Sequence, residues 1–262
     1  MSEIMKVEDL KFSWGDNLVI DSVDFVLREN EIVSILGKNG AGKSTLLKCL
    51  NKILEPDQGK IMIHGEDIRE IGLIATSKKM SYVPQSITSN FSMDVFDVIL
   101  LGRRPYINWS VGELDRKIVS KTIEKMRLTD FAFRRFDRLS GGERQRVIIA
   151  KAVAQEPNIF LFDEPTSDLD LKNQIEVMKE LRKIVSEENG KAALIAIHDI
   201  NVASRFSDRI ILLHEGKIVS NGKPSDVLTP ENIELVFEVT SRQVVDEDGI
   251  LRIFINDEIT KD

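Results

Sequence analysis

The sequence predicts an α/β fold that is interrupted by a helical segment. Residues 4–36 contain short strand-like runs, and the last run is compact, apolar and followed by glycine, which is typical of a buried strand in an α/β sheet. Residues 43–54 then carry apolar side chains at helical spacing. Strand patterns are missing between about 86 and 155 and return at 158–165 and 192–199. An α/β core with a helical insertion accounts for this order.

The other segments follow the same scheme. Within the insertion, helical patterns are present at 93–102, 114–128 and 142–156. Elsewhere we predict strands at 60–65 and 79–85 and a helix at 172–189. A second helix is predicted at 229–237, with Thr229 as its N-cap and Pro230 at its first position. Two hairpins are predicted, one at 208–222 through Glu215–Gly216 and one at 244–255 that turns at Asp248–Gly249. We expect one domain, 1–262, made of a core at 1–85 plus 156–240, a helical subdomain at 86–155 and a C-terminal hairpin or tail at 241–262.

The composition excludes several classes of protein. The chain has 262 residues, 42% of them hydrophobic and 30% charged, as expected for a folded protein, and its net charge of −7 disfavours a nucleic-acid partner. The one cysteine, Cys49, cannot form an internal disulfide, which fits a reducing compartment. The polar start is no signal peptide, and the longest apolar runs, such as 192–197, are too short to span a membrane.

The strongest motif is the glycine-rich stretch GKNGAGKST at 37–45, which fits the phosphate-loop pattern G-x-x-x-x-G-K-[ST]. It follows a predicted strand and opens a predicted helix, which is the context that the motif requires. Gly40 and Gly42 let the backbone curl so that several N–H groups point at one anion, and the helix N-terminus adds positive potential. Lys43 is expected to reach the β- and γ-phosphates of a nucleotide, and the Ser44 hydroxyl to ligate Mg²⁺.

Two carboxylates end the apolar strand IFLFDEP at 159–165. Asp163 would hold Mg²⁺ through water, and Glu164 would be the general base that polarises the attacking water. On its own such a strand end could equally be a solvated loop. Because it is combined with a phosphate loop, we interpret it as part of a nucleotide site.

Three further residues are candidates for the same site. His198 ends a strand where it could touch the γ-phosphate and the water, although a lone histidine at such a place is more often structural. Gln85 ends another strand, and its amide could ligate Mg²⁺ and still withdraw. Trp14 lies beside a glycine at a strand end, where it could stack on an adenine face or belong to the core.

A second phosphate-type loop lies about a hundred residues later, in LSGGERQ at 139–145. It places a serine and two glycines at a predicted helix start, which is the chemistry of an anion-binding loop. A protein with one nucleotide site has no evident need for two such loops.

The motifs GKNGAGKST, YVPQ, LSGGERQ, IFLFDEPTSDLD and AIHD occur in the order found in ATP-binding cassette (ABC) ATPases. The chain resembles the nucleotide-binding subunit of an ABC transporter over nearly its whole length. The stretches around VFDVILLGRRPY and HDINVASRFSDRIILLHEGKIVSNGKPSDVLTPENIELVF resemble the ATPases of importers for iron–siderophores, haem and cobalamin. The sequence departs from the common pattern at Glu143, where glutamine is frequent, and at Asp168, and the last 20 or so residues match only loosely.

The resemblance implies a P-loop NTPase (RecA-like) core with an N-terminal antiparallel β-subdomain and an inserted α-helical subdomain. It also implies a head-to-tail homodimer with two-fold symmetry, in which the LSGGERQ loop of one subunit closes over the ATP held by the other. The catalytic residues would be Glu164, His198, Lys43 and Gln85; the metal ligands Ser44, Gln85 and Asp163; and the nucleotide contacts Trp14, Gly37, Asn39, Gly40, Ala41, Gly42, Lys43, Ser44, Thr45, Ser140, Gly141, Gly142 and Asp170.

The implied function is ATP hydrolysis that powers import of a metal chelate or corrinoid. The partners would be a membrane permease and, indirectly, a solute-binding protein, with the ATPase peripheral on the cytoplasmic face of the membrane. Import of an oxyanion such as molybdate, or export, is the alternative within the class.

Non-transport ABC ATPases are a different alternative. Those of DNA maintenance insert hundreds of coiled-coil residues between the two loops, whereas here 97 positions separate Lys43 from Ser140. Ribosome-associated ones carry two cassettes, whereas this chain has one. A degenerate cassette that binds ATP without cutting it is disfavoured because Glu164 and His198 are both present.

The permease is expected to dock in a groove lined by residues 86–109, as a short helix that lies on apolar side chains. The candidates are Phe91, Met93, Phe96, Tyr106 and Trp109, some of which must be core. Arg103 and Arg104 are expected on the rim of the groove, either paired with acids of the partner or solvated.

Overall fold

A computed structural model describes residues 2–85, 92–167, 169–187 and 190–259 of the chain. Phe91 of the predicted docking groove, with residues 86–90, and Asp168 lie outside the described residues. Among the residues that the structure covers, no helix combines the length and the apolarity needed to cross a membrane.

The N-terminal part forms an antiparallel sheet of four strands in the order β2-β1-β4-β5. Val7, Leu10 and Phe12 of the first strand are buried, and a register shift between Val7 and Leu10 interrupts the alternation of buried and exposed side chains so that they share the core face. The predicted antiparallel β-subdomain is confirmed. The strand bounds are β1 Glu3–Trp14, β2 Asn17–Arg28, β4 Gln58–Ile63 and β5 Glu66–Asp67.

The central sheet has six strands in the order β10-β9-β3-β8-β7-β6. All of its neighbouring strands are parallel except the edge strand β10, which pairs antiparallel with β9. Every residue of β3, β7 and β8 is buried, as a sheet covered on both faces requires. The parallel strands bring their carboxyl ends to one edge, where ligands bind in open α/β sheets. The bounds are β3 Ile32–Leu36, β6 Met80–Val83, β7 Ile159–Asp163, β8 Ala192–Ala196, β9 Arg209–His214 and β10 Lys217–Gly222.

The helices connect these strands and fill the insertion. Their bounds are α1 Lys43–Leu50, α2 Leu73–Lys79, α3 Val95–Leu100, α4 Glu113–Lys125, α5 Gly141–Ala154, α6 Leu171–Glu187, α7 Ile200–Phe206, α8 Pro224–Val227 and α9 Pro230–Phe237. The sequence analysis did not predict α2, α7 and α8. The helix predicted over 43–54 was too long: it ends at Leu50 because Lys52 leaves the helix with φ 57° and donates hydrogen bonds to the carbonyls of Ile68 and Ile71.

The helical insertion packs α3, α4 and α5 against each other around a shared apolar core. The prediction that Arg103 lies on the rim of the docking groove is wrong, because this residue is only 3% exposed. Its guanidinium donates to Asp115 at 3.1 Å, to Glu156 at 2.8 Å and to the carbonyl of Ala154 at 2.7 Å. The buried cation thus ties a 3₁₀ turn after α3 to α4 and to the end of α5, while Arg104 is exposed.

The C-terminal part consists of α8, α9 and an antiparallel hairpin of two strands, β11 Val239–Val245 and β12 Leu251–Glu258. The hairpin is longer than predicted, and Gly249 takes the left-handed conformation (φ 74°) in its turn. The hairpin packs on α7, where the Asn201 side chain exchanges two hydrogen bonds with the backbone of Ile253, at 3.0 and 2.8 Å.

Candidate nucleotide-binding site

The phosphate loop connects β3 to α1 and is closely packed at two glycines. A Cβ on Gly37 would lie 2.3 Å from the carbonyl oxygen of Leu213. Gly42 has φ 101°, and a Cβ there would lie 2.8 Å from the side chain of Ile20. Both positions therefore require glycine, while Asn39 and Gly40 expose the top of the loop to solvent.

Lys43, the first residue of α1, is 5% exposed and folds back over the loop. Its ammonium donates to the carbonyls of Gly37 at 2.8 Å and Lys38 at 3.1 Å, and lies 3.9 Å from a carboxylate oxygen of Glu164. Burial lowers the pKa of Lys43, and the negative charges of Glu164 and Asp163 oppose this shift. The loop thus encloses a buried cation whose charge the neighbouring carboxylates compensate only in part. A site that binds an anion needs such a cation.

Asp163, at the end of β7, is held by two hydroxyl groups. Ser44 Oγ donates to Oδ1 at 2.8 Å, and the Tyr82 hydroxyl donates to Oδ2 at 3.0 Å. Burial and the neighbouring carboxylate raise the pKa of Tyr82, so that this phenol stays a donor. Tyr82 was not predicted as a site residue, although a tyrosine inside a strand of the central sheet was a usable signal, because the hydroxyl of a half-buried tyrosine needs a hydrogen-bond partner.

Glu164 is the meeting point of three strand ends. Gln85 Nε2, after β6, donates to Glu164 Oε2 at 2.9 Å, and His198 Nδ1, after β8, lies 3.6 Å from the same oxygen. The backbone N–H of Glu164 donates to Ala196 at 3.0 Å, and its φ of 48° is unusual for a residue other than glycine. Such a conformation costs free energy and is frequent at functional sites.

An open depression of about 550 Å³ lies over these residues. Trp14 forms one wall of the depression. Its side chain is 55% exposed and packs edge-to-face on Phe12 at 5.1 Å, so that it is not part of the core. The lining includes nine of the predicted site residues: Trp14, Asn39, Gly40, Gly42, Lys43, Ser44, Thr45, Gln85 and Glu164. Gly37, Ala41 and Asp163 lie beneath it, and His198 reaches it through its contact with Glu164.

The LSGGERQ loop lies away from this depression, and none of Ser140, Gly141 and Gly142 lines it. Ser140 caps α5: its hydroxyl accepts from the N–H of Glu143 at 3.3 Å, and Glu143 accepts from the N–H of Ser140 at 2.7 Å. The hydrogen bond from the N–H of Ser140, and then the Ser140 side chain, lower the pKa of the Glu143 carboxyl. The unusual Glu143 therefore completes a capping box, and Ser140 and Gly141 remain exposed.

Asp170, a predicted nucleotide contact, is placed at the start of α6, outside the lining of the depression. Its carboxylate accepts from the N–H of Asn173 at 2.8 Å and from the side-chain amide of Asn173 at 2.9 Å. Within one chain its visible contribution is thus to cap a helix.

The sequence profile of the ABC transporter family matches residues 20–167 of the chain. An uncharacterized ABC transporter ATP-binding protein of Methanocaldococcus jannaschii is 46% identical over 90% of this chain and 92% of its own length. The petrobactin import ATP-binding protein of Bacillus subtilis is 35% identical over 90% and 94%. The cobalamin import ATP-binding protein of Halobacterium salinarum is 34% identical over 89% of this chain but only 58% of its own length.

Comparison with solved structures also finds similarity to ABC transporter proteins. A structure assigned to the metal-chelate type of ABC transporter, in an inward-facing conformation, has a TM-score of 0.85 and 30% identity, and covers 97% of this chain and 98% of its own. A dimeric ATP-binding cassette in a post-hydrolysis state, bound to ADP and Pi, has a TM-score of 0.73 and 32% identity over 84% and 99%. The predicted P-loop NTPase fold is confirmed, and the chain belongs to the ABC transporter family, as one of its ATP-binding subunits.

Proposed function

We propose that the protein binds and hydrolyses ATP and thereby powers import of a metal chelate or corrinoid through a separate membrane permease. The observation that carries the enzymatic part is the arrangement around Glu164. Glu164, whose backbone φ is 48°, accepts a hydrogen bond from Gln85 and lies 3.6 Å from Nδ1 of His198 and 3.9 Å from the cation of the phosphate loop. Relatives named as import ATP-binding proteins support the transport part.

The residues of this chain divide the chemistry among them. The N–H groups of 39–45 and the Lys43 ammonium bind the phosphates. Glu164 accepts the proton of the attacking water, and His198 and Gln85 hold its carboxylate in place. Trp14 offers a flat apolar wall to the base, which gives affinity and little selectivity.

The residues also fit Mg²⁺. Ser44 and Asp163 are already joined at 2.8 Å, and the hydroxyl, carboxylate and Gln85 amide oxygens are the hard ligands that this ion prefers. Ser44, Asp163 and Gln85 would hold the ion, with Asp163 acting through water. When bound, Mg²⁺ supplies positive charge that neutralises the β- and γ-phosphate oxygens.

The site is completed by a second copy of the chain. Ser140, Gly141 and Gly142 lie outside the depression and are available to the nucleotide of a partner, which makes sense of two phosphate-type loops in one chain. A dimeric relative of 32% identity supports this arrangement. Asp170 belongs to the same surface in this proposal.

The permease docks on the helical insertion. Val95, Val98 and Ile99 are buried in the core of the insertion. Trp109, by contrast, is 100% exposed and Leu101 is 40% exposed, so that their apolar side chains are accessible to a partner. The proposal places the protein on the cytoplasmic face of the membrane, with a solute-binding protein as an indirect partner.

The enzymatic part is tested with the purified chain. It should release phosphate from ATP in the presence of Mg²⁺ and stop when EDTA removes the ion. No phosphate release by the purified chain or by its complex with the permease would overturn the proposal. Cargo is tested separately, by ATP-driven uptake into vesicles that contain the permease, with ferric siderophores, haem, cobalamin and molybdate compared.

A further inference from the structure

A salt bridge connects the phosphate loop to the C-terminal segment, by which we mean residues 224–259. The ammonium of Lys38, inside the loop, donates a hydrogen bond to Oε2 of Glu238, which lies 200 positions later in the chain. Both side chains are partly exposed, at 38% and 42%. Neither residue belongs to the catalytic arrangement proposed above.

Lys38 is a structural part of the loop. Its carbonyl accepts from the N–H of Ala41 at 3.2 Å and from the ammonium of Lys43 at 3.1 Å. Its neighbours Asn39 and Gly40 line the depression. The backbone of Lys38 is therefore next to the place where the phosphates would lie, while its ammonium pairs with Glu238 and is not part of the lining of the depression.

Glu238 is held in a defined place. It ends α9 in the left-handed conformation, with φ 58°, and its N–H donates to the carbonyl of Glu234 at 2.9 Å. Its own carbonyl accepts from the N–H of Ile259 at 2.9 Å, where β11 begins and β12 ends. The position of its carboxylate is therefore coupled to both α9 and the hairpin.

The C-terminal segment contacts the nucleotide site in a second place. One apolar cluster joins Ile233, Val236 and Ile253 of this segment to Leu36 and Ile197. Leu36 precedes the first glycine of the phosphate loop, and Ile197 precedes His198. The segment thus packs directly behind two elements that carry the proposed catalytic groups, and the salt bridge is part of a larger contact.

We propose that Glu238 competes with the phosphates of the nucleotide for Lys38, so that the C-terminal segment sets nucleotide affinity from outside the depression. This inference rests on the proposed binding of ATP. When Lys38 pairs with Glu238, its charge is compensated and attracts phosphate less. When the carboxylate is removed or moved away, the charge of Lys38 adds to that of Lys43, which Glu164 compensates only in part at 3.9 Å, and a polyanionic ligand binds more tightly.

The test measures the Kd of ATP and ADP by calorimetry, with the full chain in EDTA so that no hydrolysis occurs. The substitutions are Glu238→Gln, Lys38→Gln and both together. Glu234→Gln is the matched control, because it removes the same charge one turn earlier on the exposed side of α9. Glu238→Asn is a second variant, since asparagine tolerates the left-handed conformation better than most residues.

Glu238→Gln should lower the Kd about threefold and Lys38→Gln should raise it by about as much, the size expected for an exposed charge pair. The double variant should behave like Lys38→Gln alone, and the control like the wild type. The differences should shrink at high salt, because both charges are exposed.

An unchanged or higher Kd in both Glu238 variants would overturn the inference and leave ATP binding intact. So would a double variant that returns to the wild-type Kd, because Glu238 would then act on the nucleotide directly and not through Lys38. A wild-type chain that binds no ATP would overturn the proposed function, and this inference with it.

Discussion

Gln85 Nε2 donates a hydrogen bond to Glu164 Oε2 across 2.9 Å, so that the last residue described before the helical insertion touches the proposed general base. The proposed general base is therefore contacted by the residue that directly precedes the insertion in the sequence.

Substitution Glu164→Gln should leave ATP binding intact and slow hydrolysis by about 10²–10⁴-fold, because an amide cannot accept the proton of the attacking water. The ATP-bound dimer should then accumulate. Steady-state phosphate release and size-exclusion chromatography with ATP measure the two effects. Normal turnover by this variant would contradict the assignment of the base.

Lys43→Ala should abolish ATP binding, because it removes a buried cation that the phosphate loop encloses. Lys60→Ala is the control, since Lys60 is an exposed lysine on β4. Binding of a fluorescent ATP analogue is the measurement. Equal affinities of the two variants would show that Lys43 is not the phosphate anchor.

Mixing two inactive variants tests whether the subunits share their sites. Gly142→Asp should block closure of the dimer by bulk and by repulsion of phosphate, and Lys43→Ala lacks the anchor. A mixed dimer contains one intact site, so ATPase activity should partly return. Because a Cβ at Gly142 already lies 3.0 Å from Asn173, Gly142→Ala is needed to separate local crowding from charge. Complete absence of recovery would argue against sharing.

Arg103→Ala should lower the free energy of unfolding by about 3 kcal/mol or more, because the buried carboxylate of Asp115 loses its charged partner and keeps only the hydrogen bond from the N–H of Gly112. Arg104→Ala should have little effect, since Arg104 is exposed. Urea denaturation followed by circular dichroism measures both. Equal stability of the two variants would show that the buried network contributes nothing.

Trp109→Ala and Leu101→Ala should weaken co-purification with the permease and slow uptake into vesicles, while ATP binding by the isolated chain stays normal. Both side chains are exposed and apolar, so that their removal costs the folded chain little. Phe133→Ala, another exposed aromatic of the insertion, is the matched control. Normal uptake by the Trp109 and Leu101 variants would place the docking surface elsewhere.

Much of the fold could be predicted because the signals are local. Continuous apolar runs predicted β3, β7 and β8, and Glu215–Gly216 predicted the turn of the β9–β10 hairpin, where both residues have positive φ. The short helices α2 and α8 were not predicted because they have too few turns to show a helical period. The helix α7 is also short, and it directly follows the strand that was predicted at 192–199. The end of α1 was placed four residues too late, because Ile53 and Leu54 continue the apolar pattern although the chain leaves the helix at Lys52.

The sequence by itself determined the chemical groups of the site, since a phosphate loop, an acidic strand end and a second glycine loop are each encoded in consecutive residues. Only the tertiary structure decided which distant groups pair. Tyr82 with Asp163, Lys38 with Glu238, and Arg103 with Asp115 and Glu156 are contacts across the fold. The physical reason is that sequence periodicity reports which face of an element is buried, whereas a hydrogen bond or salt bridge depends on the order and register in which strands and helices are brought together.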